Sequence, residues 1–233
     1  MIKAKNQSGL TLVELMISMV ISGMLLAVMV LAFTAQSRTY NTQQEISTLQ
    51  EDMKAALQLM SRDIRMAGYD PFGTAGSSII AATATTFHAT QDLDDSGGLG
   101  GPEEDIFYSF VTPAAGSTAS LSRSTNAGLP QPVIDNLTHV GFEYLVVTPN
   151  AGAPATRTWK FIALPGDLAN IRAVNVCIQG RTPRQTSTTQ DTATFMAAFN
   201  TPPGAVDWSP TAANRGRFQW RTMCAEVKCR NLQ

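Results

Sequence analysis

Residues 10–33, LTLVELMISMVISGMLLAVMVLAF, constrain this chain more than any other stretch. They hold 24 residues with one charge, Glu14. As a helix the run is about 36 Å long, enough to cross the hydrocarbon of a bilayer. A carboxylate deep in hydrocarbon costs about 2.5–3.5 kcal/mol on insertion scales, so Glu14 calls for a function. A cleaved secretory signal has an apolar core of only about 7–15 residues and a small-residue cut behind it, which this run exceeds. Lys3 and Lys5 precede the run, so the positive-inside rule leaves Met1 in the cytoplasm and sends the bulk of the chain across.

The remainder is long enough for one compact domain behind an anchor. A net charge of −1 gives neither a basic footprint for nucleic acid nor an acidic tail.

The stretch GLTLVELMISMVIS, Gly9 to Ser22, resembles the leader junction of type IV prepilins and type II secretion pseudopilins. The resemblance implies that a prepilin peptidase cuts between Gly9 and Leu10 and methylates Leu10. It also implies that Glu14 steers assembly. A free amine at Leu10 lies one helical turn from Glu14, or within reach of a neighbouring subunit's Glu14. Buried charges tolerate few registers, so such a pair penalises every wrong stagger while adding little net stability. The bland alternative is a polar residue tolerated near the membrane interface. The apolar groups surround the helix, which suits lipid or a bundle of like helices. Gly23, Ser18 and Ser22 permit close helix approach.

Past Ala35 the pattern becomes amphipathic. Ile46, Leu49, Met53, Ala56, Leu57, Met60 and Ile64 recur at three- and four-residue spacing, one stripe on a polar helix. Gly68 and Asp70-Pro71 end it. The helix is expected over Leu10–Ala67, its second half against a sheet. Seven strand-like stretches follow: SSIIAATATTFHAT, EDIFYSFV, ASLSRST, LTHVGFEYLVV, RTWKFIAL, IRAVNVCIQGRT and RFQWRTMCAEVKCRN. Pro183 to Gly216 reads as a long surface loop. RDIRMAGYDP, VIDNLTHVGFEYL, IRAVNVCIQGRT and VKCRNL resemble the PilW group of minor pilins. The expected fold is α+β and pilin-like, a long N-terminal helix packed on an antiparallel sheet. Residues 1–9 are the leader, 10–35 the transmembrane half, 36–67 the amphipathic half and 68–233 the β-rich head.

DLDDSGGLGGPE fits a calcium-loop spacing, with Asp92, Asp94 and Ser96, the Gly98 carbonyl and Glu103 as ligands and Gly97 at the turn. Neither flank reads as a helix, and a solvated acidic turn is the alternative. Three cysteines lie in the translocated part, where oxidation is allowed. Connectivity stays open from sequence. Strand alternation favours Cys177–Cys224 with Cys229 left over, whereas Cys224 and Cys229 lie about 16 Å apart along one strand.

His88 and His139 stand apart from other ligands, and Trp159, Trp208 and Trp220 read as packing or rim residues. No G-x-S-x-G, H-E-x-x-H or Walker pattern occurs, so no enzyme is expected.

The resemblance implies a minor type IV pilin, held in the inner membrane by one span with its head in the periplasm, then carried into the pilus. Prepilin peptidase, other minor and major pilins and the inner-membrane assembly platform are the implied partners. A type II secretion minor pseudopilin shares the leader and helix. A rival from another class is a membrane-anchored periplasmic enzyme or receptor.

Overall fold

The computed structural model describes residues 11–114, 117–184 and 218–231. Gly9, Leu10 and Trp208 lie outside them, as does all but the first two residues of the expected loop. The chain divides into two compact units, residues 1–44 and 45–233.

The first unit contains the beginning of α1 (Leu12–Met66). Its apolar side chains have no protein to bury them: Leu12 is 76% exposed, Val20 71% and Phe33 73%. By length and composition this helix is apolar enough to cross a membrane. Several of its hydroxyls bond back to the helix. Ser18 Oγ donates to the Leu15 carbonyl at 2.9 Å and Thr34 Oγ1 to the Leu31 carbonyl at 2.9 Å. Such back-bonding makes serine and threonine tolerable where no water is available.

In the second unit α1 buries Leu49, Met53, Ala56, Leu57, Met60 and Ile64, together with Asp63. Gly68, with φ +75°, ends the helix in the left-handed conformation that glycine adopts without strain.

The described residues form eight strands, β1 (Ile79–Ala82), β2 (Thr86–Thr90), β3 (Asp105–Phe110), β4 (Ala119–Thr125), β5 (Gln131–Asn150), β6 (Ala153–Lys160), β7 (Ile171–Arg181) and β8 (Trp220–Lys228). They pair antiparallel in the order β1-β2-β3-β4-β5-β7-β8, with β6 added to β5.

Three expectations are corrected. The stretch SSIIAATATTFHAT is a hairpin rather than one strand. Its turn has no Gly, Pro or Asn and is held instead by Thr83: Thr86 N–H donates to Thr83 Oγ1 at 3.0 Å, and the two hydroxyls meet at 2.6 Å. The strand in RTWKFIAL ends at Lys160, after which the chain turns to β1, where Ala163 N–H donates to the Ala82 carbonyl at 3.0 Å. The strand read from Leu137 begins at Gln131, because bulges against β4 accommodate Pro132.

The core lies where even-numbered β5 side chains meet β2 and the helix. Phe87 stacks on Phe142 and Tyr144, with centroids 6.2 and 6.5 Å apart. The Tyr144 hydroxyl points at the Thr83 and Thr86 carbonyls, at 2.9 and 2.8 Å, which satisfies its one polar atom within an apolar core.

Candidate functional site

The first candidate site is the start of α1. Thr11 precedes the helix and Glu14 is its third residue, the spacing of a capping box. Glu14 N–H donates to Thr11 Oγ1 at 3.3 Å. Glu14 Oε2 accepts from the Thr11 N–H at 3.4 Å and from its hydroxyl at 3.3 Å. The carboxylate therefore sits at the helix N-terminus, where unpaired N–H groups and the helix dipole favour negative charge. Sequence reading singled out Glu14 but missed this partner, although T-x-x-E is visible in the chain. The cap lowers the cost of placing Glu14 in the apolar segment by hydrogen-bonding its carboxylate, and leaves its charge to be matched.

The second is the β2–β3 loop. Asp92 and Glu104 are fully buried, and Asp94 lies beside them. One carboxylate oxygen from each falls within 4.8 Å of the others. Backbone N–H groups surround them. Asp92 accepts from Ser96 and Gly97 at 3.1 and 3.0 Å, and Glu104 Oε1 accepts from Leu93 and Asp94 at 3.1 and 3.3 Å. Hydrogen bonds from the Ser96 hydroxyl and N–H hold Asp94 below the usual carboxylate range. Gly97 has φ +76°, and a Cβ there would meet Thr74 Oγ1 at 2.7 Å, so only glycine fits this turn. Among the described residues no Lys, Arg or His pairs with any of the three acids.

Glu103, the expected twelfth-position ligand, is not in the cluster. It faces Arg62 Nη2 at 3.4 Å and Arg123 Nη1 at 3.8 Å. Glu103 adopts a left-handed φ of +63°, and that twist turns consecutive carboxylates to different clusters, so Glu104 stands where Glu103 was expected. Ser96 lies beside Asp94, its N–H donating to Asp94 Oδ1 at 3.0 Å and its hydroxyl accepting from the Gly98 N–H at 3.4 Å. No sequence signal marks a left-handed glutamate.

Glu103 belongs to a network centred on buried Asp63. Asp63 Oδ2 accepts from the Tyr108 hydroxyl at 2.7 Å and from Arg123 Nε at 2.8 Å, and Oδ1 from Arg62 Nε at 3.2 Å. Burial, and after it the Asp63 charge, push the Tyr108 phenol far above its ordinary range, so it remains a donor. This cluster joins α1 to β3 and β4 by directional bonds where the rest of the contact is apolar.

Cys177 and Cys224 face each other across β7 and β8 and form a disulfide, with Cα atoms 4.1 Å apart. Cys229 is free and buried, and burial pushes its thiol up to about 12. His88 bonds Asp105 at 2.6 Å and His139 bonds Gln179 at 2.9 Å, and the acidic cluster of Asp92, Asp94 and Glu104 includes neither. Trp220 is buried on β8 and Trp159 half-buried on β6.

Residues 4–30 match the family model described as the prokaryotic N-terminal methylation motif. The fold is similar to that of a type IV-like pilin from Thermus thermophilus, with a TM-score of 0.50 and 13% identity. The match covers 79% of this chain and 98% of that one. No curated protein matches the chain. The chain therefore carries a prokaryotic N-terminal methylation motif and has a fold similar to that of a type IV-like pilin. The matched motif spans the start of the apolar helix, whose length and composition fit membrane anchoring.

Proposed function

We propose that the protein is a minor type IV pilin of the PilW kind. Cleavage after Gly9 exposes a methylated amine on Leu10, and the chain waits in the inner membrane by one span with its β-rich part in the periplasm. It then enters the pilus through α1, with Glu14 setting the register against a neighbour's amine, and acts with other minor pilins in priming assembly. The observation that carries this reading is the capped carboxylate at the start of an all-round exposed apolar helix, within a matched methylation motif. A helix without a protein core around it needs lipid or other helices, and Glu14 gives that association a polar register. The test is complementation of a deletion strain with the wild-type chain, Glu14→Ala and Glu14→Gln. Wild type restores surface pili, and both variants restore few although the protein is present in the membrane. Intact pili with failed protein secretion in the deletion strain would assign the chain to a type II secretion system instead.

A second reading concerns the β2–β3 loop, which holds a calcium ion through Asp92, Asp94 and Glu104. Three carboxylates within 4.8 Å repel one another, and a divalent cation relieves that repulsion using the oxygen ligands calcium prefers. Calorimetry of the full chain in detergent should show calcium binding that Glu104→Gln weakens and Glu103→Gln leaves in place. No heat at millimolar calcium would end this reading.

A further inference from the structure

Cys177 and Cys224 share one disulfide in unlike surroundings. Cys177 lies on β7 between two strands, opposite Gly141 of β5 on one side and Cys224 of β8 on the other, and is 0% exposed. Gln179, two residues along β7, is equally buried and bridges β5 to β8. Its amide oxygen accepts from Thr138 Oγ1 at 3.1 Å and lies 2.9 Å from His139 Nδ1, and its amide nitrogen donates to Thr222 Oγ1 at 3.4 Å. Gly141 and Glu143 on β5 are buried as well. Cys224, by contrast, is exposed, on the strand that among the described residues ends the sheet on this side.

Thiol–disulfide exchange is a displacement at sulfur, and its rate depends on which sulfur an incoming thiolate can reach. The attacking sulfur approaches from the side away from the sulfur that leaves. For Cys224 that side lies beyond β8, where the described sheet ends. For Cys177 it lies over β5, across Gly141 and between Gln179 and Glu143, all of them buried. Strand order therefore makes the two halves of one bond unequal.

We infer that Cys224 is the site at which an external disulfide oxidant, protein or small molecule, engages this chain, and that Cys177 is the resolving thiol. The Cys224 thiolate attacks the oxidant's disulfide, forms a mixed disulfide and releases one thiolate. The Cys177 thiolate then attacks Cys224 Sγ, closes the bond and expels the second. Two cysteines lose two electrons and two protons, and the oxidant leaves as two thiols. The closing step also selects the register of β8. A slip of one residue turns Cys224 to the other face of the sheet, and a slip of two moves it about 7 Å along the strand, out of bridging range. Cys229 stays out of the exchange, since it is buried within the apolar core beyond the end of β8. None of this requires leader cleavage or Glu14, so the exchange site stands or falls apart from the assembly reading.

The test uses the full chain in detergent with glutathione as the probe. Cys177→Ser and Cys224→Ser chains, each folded, are exposed to oxidised glutathione, and adducts are located by peptide mass spectrometry. Cys224 in the first chain should be modified about tenfold faster or more than Cys177 in the second, with the difference lost in urea. Wild-type protein keeps the proposal falsifiable if either variant fails to fold. Its native disulfide is opened with excess reduced glutathione, quenched in acid and mapped, and the glutathione should sit on Cys224 and neither on Cys177 nor on Cys229. Adducts on Cys177, equal adducts on Cys177 and Cys224, or adducts that form only after unfolding would each overturn the proposal.

Discussion

Asp63→Ala removes the acceptor on which Tyr108, Arg123 and Arg62 converge. Asp63 is 3% exposed and the Arg123 side chain 13%, so water replaces little of what is lost. Breaking a buried pair by deleting one partner costs about 3–5 kcal/mol, and an orphaned buried hydroxyl about 1–3 kcal/mol. These costs overlap, and Glu103 remains 3.8 Å from Arg123 as a weaker partner, so we expect about 3 kcal/mol in total. For a chain of this size that lowers Tm by about 6–12 °C. Urea unfolding of the full chain in detergent, followed by tryptophan fluorescence, measures the change. A double-mutant cycle with Arg123→Met isolates the pair, with an expected coupling of about 2 kcal/mol. A loss under about 1 kcal/mol, or simple additivity in the cycle, would refute the reasoning that this network holds α1 on β3 and β4.

Other expectations follow from local features. Ala127 has φ +54° in the turn after β4, and left-handed backbone costs an alanine about 1–2 kcal/mol. Ala127→Gly should therefore stabilise the protein by roughly 0.5 kcal/mol after the larger unfolded-state entropy of glycine is counted. Burial raises the Glu143 carboxyl, with a hydrogen bond from Asn175 opposing. A raised acid binds its proton more tightly when folded, so the protein loses stability as pH rises through the carboxylate range. Glu143→Gln should match the wild type near pH 4 and exceed it in Tm near pH 7, a gap that calorimetry reads. Cys229, buried with its thiol pushed up to about 12, should resist maleimide in the native protein and react once the chain is unfolded.

The helix was the most legible part of the chain because periodicity reports burial directly. The stripe from Leu49 to Ile64 is the buried face, and only the charged Asp63 within it escaped notice, since a stripe is sought in apolar residues. The α+β architecture was legible for the same reason. Turns made by unusual chemistry were not: Thr83 and Thr86 hydroxyls replace the glycine or asparagine that would have marked the β1–β2 hairpin. In the acidic loop, the residue types and the Gly97 turn were readable, yet the spacing rule named Glu103 where the left-handed backbone delivers Glu104. The Asp63–Arg123 contact joins positions 60 residues apart, and no local pattern encodes it. Cys177 opposite Cys224 could be anticipated from alternation because β7 and β8 are regular and keep one register throughout.

The account depends most on the chain's mature beginning, because Glu14 has an assembly partner only if Leu10 becomes a free amine. Mass spectrometry of the N-terminal peptide, from protein purified out of its own host, reads this directly. The expected peptide begins at Leu10 and carries one methyl group on its amine, and a Gly9→Val variant keeps its leader. An intact Met1, or a cut beyond Phe33, would contradict the account.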